Sequence, residues 1–187
     1  KTQRSTSGLH LALSGPNSNF PTRGGSKGQT STAASTPEAE IVALFLAVKD
    51  AGLPALTFWE HVLQHAVRLY VHEDNQAAIR VIETGRNPTM RHLQRCHRIP
   101  IAWLHEQCTC EEIKLFYEFS KSMSADIYTK AFTDATEWLN ACWLVNIVDP
   151  KSLTTLISDF KLHTDVPDTL SPPVHGGKAT PKHADDD

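Results

Sequence analysis

Apolar and polar residues alternate in STSGLHLALSG, where Leu9, Leu11 and Leu13 share one parity before a Gly-Pro-Asn turn, and this predicts a strand. FPTRGGSKGQTSTAAST, glycine-rich and less regular, is a weaker candidate for its antiparallel partner. The period then changes. Thr36-Pro37-Glu38 reads as a helix start, with Thr36 as N-cap and Pro37 first in the helix. Apolar residues at 41, 44, 45 and 48 follow at helical spacing until Gly52-Leu53-Pro54 predicts a stop. A short helix is expected over 55–65, around Phe58, Trp59, Val62 and Leu63. Alternation returns in VRLYVHE, another strand. AAIRVIETG predicts a helix ending near Gly85, and a basic helix is expected from Arg91 to Gln107. EEIKLFYEFS reads as a strand, and residues 124–148 as one long helix with Ile127, Phe132, Ala135, Trp138, Leu139 and Cys142 along one side.

This order describes an α/β domain over residues 1–148. Residues 149–187 form a polar tail, with a short helix allowed at 151–162 and disorder expected over 163–187 on composition. The 187 residues, 40% hydrophobic, suffice for one ordinary core. No apolar run predicts a membrane span and no signal-peptide pattern opens the chain, so no membrane is expected and an intracellular location, cytoplasmic or nuclear, is. Four cysteines without framework spacing agree with a reducing compartment, and His105, Cys108 and Cys110 lack the second ligand pair of a zinc site.

The net charge of −3 is unevenly spread. Residues 1–37 contain bases and no acid, as does Arg86–Arg98, and such stretches suit phosphate as well as plain solvation. Three acids stand near element ends: Glu40, Asp74 and Asp126. Each has an ordinary explanation, because acids complement helix N-termini and cap free amides.

Taken together, the surroundings of these acids suggest more. T-P-E-A-E-I-V-A-L at 36–44, H-E-D-N-Q-A-A-I at 72–79 and M-S-A-D-I-Y-T-K-A-F at 123–132 resemble, in this order, the ribonuclease H domain that ends copia-type retrotransposon polyproteins. So do R-S-T-S-G at 4–8, S-T at 31–32 and M-R-H-L-Q-R-C-H at 90–97, and the resemblance covers about residues 3–145.

The resemblance implies a ribonuclease H-like mixed sheet flanked by helices. It also implies metal-dependent hydrolysis of the RNA strand of RNA/DNA hybrids during reverse transcription, beside the reverse transcriptase portion of the same polyprotein. Glu40, Asp74 and Asp126 would be the catalytic, metal-holding acids for two Mg²⁺ or Mn²⁺ ions, with Glu38 the poorer alternative to Glu40. Asn75, Gln76, Arg91, His92 and Arg95 would meet the nucleic acid. In the family a further aspartate lies on a first strand before R-S-T-S-G, whereas only Lys1-Thr2-Gln3 precede Arg4 here. The expected sheet is therefore truncated before its second strand. Three outcomes are compatible with that: a piece of a longer enzyme, an inactive remnant, or a nucleic-acid-binding module of the same fold. Integrases and transposases share the fold class, but the A-D-I-Y-T-K and E-D-N-Q-A motifs point away from them.

Overall fold

A computed structural model describes residues 4–16, 18–86 and 99–151. The chain divides into Lys1–Val148 and Asp149–Asp187, and the architecture below belongs to the first. It is a mixed α/β arrangement of small sheets and helices.

Strands β1 (Thr6–Gly15) and β2 (Ser18–Gly28) form an antiparallel hairpin, with a register shift between Leu11 and Ala12. The glycine-rich segment is thus a full strand, and Pro21 is accommodated because β2 has a partner on one side alone among the described residues. Strands β3 (Leu69–Glu73) and β4 (Ile113–Tyr117) pair in parallel, from Leu69 opposite Ile113 to Glu73 opposite Tyr117. The resemblance implied a single mixed sheet. The described strands instead make two separate ladders, β1-β2 and β3-β4.

Helix α1 (Thr36–Ala47) begins one residue earlier than expected, since Ser35 is the N-cap and its hydroxyl accepts from Glu38 N at 3.4 Å. Nor does it stop at Gly52. A π turn (Val48–Gly52) carries it into α2 (Leu53–Leu63), so that Thr36–Leu63 is one helical run. Pro54 cannot donate to the carbonyl four residues back, at Asp50, and Arg23 of β2 supplies the bond instead, Nη1 to O at 2.7 Å. The run is long and apolar enough by length and composition to cross a bilayer, a test that the core helix of a soluble protein also passes. Its Ile41, Val42, Leu44 and Val48 are buried in the domain core.

Helix α3 (Gln76–Thr84) ends at Gly85, whose φ of 64° favours glycine. Helix α4 (Ile101–Thr109) starts after non-helical Ile99-Pro100, so the helix expected from Arg91 is not continuous; Pro100 stands at the N-cap with ψ 102°. The predicted long C-terminal helix is also broken. Ser124–Tyr128 is a 3₁₀ turn, and α5 (Ala135–Leu144) begins anew where the Asp134 carboxylate accepts from Thr136 N at 2.7 Å and Glu137 N at 3.0 Å. Helical periodicity in residues 124–148 hid this cap, because periodicity does not register an interruption of the helix.

The core lies on one face of the β3-β4 ladder. Ile113 packs there with α1, with Ala78 and Ile82 of α3, with Ile99, and with Leu104 and Cys108 of α4. The opposite face shows Tyr70 and Phe116 to solvent.

Candidate active site

Glu40, Asp74 and Asp126 line one cavity of about 400 Å³. They arrive on separate supports: Glu40 on α1, Asp74 just past the end of β3, and Asp126 on the 3₁₀ turn. Asp126 therefore does not open a long helix as expected, and Glu40 lies beyond the first turn of its own.

The local sequence explains each placement. Glu38, the alternative to Glu40, is 1% exposed and belongs to the helix cap: its carboxylate accepts from Ala34 N at 2.9 Å while Ser35 takes the Glu38 amide. Two residues on, Glu40 points to the cavity. Asp74 is not an N-cap; Asn75 is, its Oδ1 accepting from Ala77 N at 3.0 Å and Ala78 N at 3.1 Å. That capping commits the Asn75 carbonyl oxygen, while Gln76 is exposed at the start of α3. Arg91, His92 and Arg95 lie outside the described residues.

Asp126 is brought in by two close approaches. A Cβ at Gly8 would come within 2.7 Å of Thr129 Cγ2 and 2.8 Å of Ala125 O, and one at Gly24 would collide with the Tyr128 ring. The 3₁₀ turn therefore rests on bare backbone of both hairpin strands. A second tie fixes α1. Gln29, 4% exposed, donates from Nε2 to Ser7 Oγ at 3.0 Å and to Ala39 O at 2.9 Å, joining the hairpin to the helix beside Glu40. R-S-T-S-G thus contributes architecture through Ser7 and Gly8.

The cavity is strongly acidic. Burial, then repulsion by Asp74 and Asp126, raises the pKa of Glu40, with Lys130 opposing. Burial also raises Asp126, against its ion pair with Lys130. Sequence reasoning gave no role to Glu73. It is 6% exposed, lines the same cavity, and burial with repulsion from Glu40 and Asp74 lifts it to about 7 despite a bond from Asn75 N at 3.0 Å. The signal was present: Glu73 continues the parity of Val67, Leu69 and Val71, so the alternation places it on the inner face.

The donor chemistry fits a hard divalent cation, because carboxylate oxygens are the ligands such ions take, and mutual repulsion is what a dication relieves. Among the described residues, no group of three or more His, Cys, Asp or Glu is gathered to hold one ion. The carboxylates share a cavity without closing on one point. Mg²⁺ tolerates that, since it commonly takes one or two carboxylates and completes its shell with water and phosphate. The thiols are otherwise engaged: Cys110 Sγ donates to Gln107 O at 2.9 Å, and burial raises Cys108 to about 11.

No family model, curated protein or solved structure matches this chain.

Proposed function

We propose that this chain is a ribonuclease H-like domain of retrotransposon type, directed at the RNA strand of RNA/DNA hybrids during reverse transcription. The observation that carries the reading is the meeting of Glu40, Asp74 and Asp126, far apart in sequence, around one cavity. A chance set of exposed acids would have no reason to converge from a helix, a strand end and a 3₁₀ turn. The family resemblance of the motifs around these three residues supplies the substrate.

In this reading Glu40, Asp74 and Asp126 hold Mg²⁺ or Mn²⁺. Bound there, such an ion would acidify an attacking water and offset charge on the phosphate and the leaving 3′ oxygen. The chain's own contribution is positional. Gln29 keeps α1 against the hairpin, the Gly8 and Gly24 approaches seat Asp126, and the β3-β4 ladder carries Asp74. Lys130, paired with Asp126, offsets part of the negative charge that would repel a phosphodiester. Gln76, with Arg91, His92 and Arg95, is assigned to the hybrid, whose minor groove displays the 2′-hydroxyls that mark the RNA strand. The partner is the reverse transcriptase portion of the same polyprotein, in the cytoplasm or nucleus.

The deciding experiment is cleavage of an end-labelled RNA strand in a hybrid with Mg²⁺ or Mn²⁺, beside Asp74→Asn and Glu40→Gln. Cutting by the parent alone supports the reading. A second reading, a catalytically inactive nucleic-acid-binding module, is favoured by the lack of a closed three-ligand group among the described residues. It predicts metal-independent, salt-sensitive hybrid binding without cleavage.

A further inference from the structure

The β3-β4 ladder has an edge on the side away from the acid cavity. Leu69 N donates to Glu112 O at 2.8 Å and Glu118 N donates to Glu73 O at 3.0 Å, so the even-numbered residues from 112 to 118 turn their backbone groups toward β3. Successive residues of a strand direct these groups to opposite sides, and Leu115 and Tyr117 therefore present N–H and C=O at the far edge. Among the described residues, β4 has β3 as its one ladder partner. The cavity borders β3, so the far edge of β4 is remote from the gap between ladder and hairpin. This edge is also apolar, with Phe116 46% and Tyr117 45% exposed. Phe116 lies on the outer face, its ring centre 5.8 Å from that of Tyr70 and 6.0 Å from that of His72, with Lys114 and Glu118 two residues to either side. An apolar edge with unpaired backbone groups is a template for another strand.

We propose that this edge pairs with the same edge of a second copy of the chain, antiparallel, about a twofold axis through Phe116. The strand is self-complementary in that register and not in its neighbours. With the two Phe116 rings opposite each other, Lys114 stands opposite Glu118 of the second copy and Glu118 opposite its Lys114, all on the outer face. Leu115 and Tyr117 then meet Tyr117 and Leu115 of the second copy, and these are the residues whose backbone groups can exchange two hydrogen bonds per pair. An axis through Leu115 sets Glu112 against Glu118, like charges, and one through Tyr117 sets Phe116 against Glu118. Both charged side chains keep capacity for the contact. Lys114 Nζ donates to Cys110 O at 3.2 Å, and the Glu118 carboxylate accepts from Phe119 N at 3.0 Å and faces His72 Nδ1 at 3.2 Å, whereas an ammonium has three donors and a carboxylate about four acceptor sites. Pairing joins the two Tyr70–Phe116 contacts into one aromatic row across a continuous sheet. A strand of 5 residues a side makes a small interface, of the weak and reversible class. Because β4 pairs with itself, the contact closes as a dimer and leaves no β4 edge for a third copy.

The inference stands apart from the hydrolase reading, and its test uses neither nucleic acid nor activity. The full chain is followed by sedimentation velocity over a concentration series from about 1 µM to about 1 mM, which spans the range of weak interfaces. Amide exchange is read residue by residue by NMR at both ends of the series. The expected result is a monomer–dimer equilibrium, with exchange at Leu115 and Tyr117 slowed about tenfold or more in the dimer and Phe116, already turned to β3, little changed. Tyr117→Pro removes a donor that the ladder to β3 does not use, and should leave the chain monomeric. Should that variant fail to fold, charge exchange decides. Lys114→Glu and Glu118→Lys, each shown to unfold at the parent temperature, should raise the dissociation constant about tenfold, and the double variant should restore it. A parent that stays monomeric throughout the series would overturn the proposal. So would a dimer unmoved by either charge substitution, or a double variant no tighter than the singles, since both outcomes put the contact elsewhere.

Discussion

Gln29 Nε2 donates to the carbonyl oxygen of Ala39 at 2.9 Å, and so the residue that follows β2 fixes the helix one position before Glu40. The same amide holds Ser7 Oγ. Gln29→Ala leaves Ala39 O and Ser7 Oγ without this donor and should cost about 1–3 kcal/mol, read from denaturant unfolding. Hybrid cleavage should fall further than the unfolded fraction accounts for, because α1 is released where Glu40 stands.

Glu38 and Glu40 are separated by one residue and should respond in opposite ways. Glu38→Ala removes the cap acceptor for Ala34 N and is expected to destabilise by about 1–2 kcal/mol. Glu40→Gln relieves repulsion with Asp74 and Asp126, so its unfolding midpoint should stay level or rise while cleavage is lost. A loss of stability in Glu40→Gln equal to that of Glu38→Ala would contradict the assignment of Glu40 to the cavity.

Gly8→Ala tests the seat of Asp126. The added Cβ would meet Ala125 O at 2.8 Å, which is backbone and cannot swing aside. The turn should lift, and cleavage should drop by about 10²-fold if Asp126 shifts by the order of 1 Å. Circular dichroism should show the secondary structure retained.

Glu73 predicts a pH dependence of stability. Its folded pKa of about 7 lies above the ordinary carboxylate value of 4.5, so between these pH values the native state binds more protons than the unfolded chain. Stability from this group is fully present below pH 4.5 and is lost as pH rises through 7, by about 3 kcal/mol in all. Urea unfolding in a chelating buffer should show that loss in the parent, and Glu73→Gln should flatten it.

Lys130→Ala strips Asp126 of its paired cation. The cavity becomes more negative, and the Mg²⁺ concentration giving half-maximal cleavage should fall, provided that the metal sits among these carboxylates. An unchanged or higher requirement would place the metal elsewhere.

The strands were legible in the sequence because alternation is a local signal, as Leu9-Leu11-Leu13 and Leu69-Val71 show. The helix limits were less so. Ser35 and Thr36 are chemically equivalent caps, and the choice rests on where Glu38 turns. The continuation through Gly52-Leu53-Pro54 is accompanied by a bond from Arg23, distant in sequence, to Asp50 O, which no local pattern announces. The meeting of Glu40, Asp74 and Asp126 was implied only by the resemblance of the motifs around them, since nothing local to any one acid announces it. The parts played by Gln29 and Gly8 were not, since both act through close contacts made only after the hairpin and helices have packed.

The three acids ride on different bodies. Asp126 travels with the hairpin on which its turn rests, Asp74 with the β3-β4 ladder, and Glu40 with α1, which packs against β1 and α3. Their mutual spacing therefore depends on how these elements pack within the one unit. The width of the acidic mouth is thus set at a distance, by the packing of α1 on β1 and on α3, rather than by any of the three acids themselves.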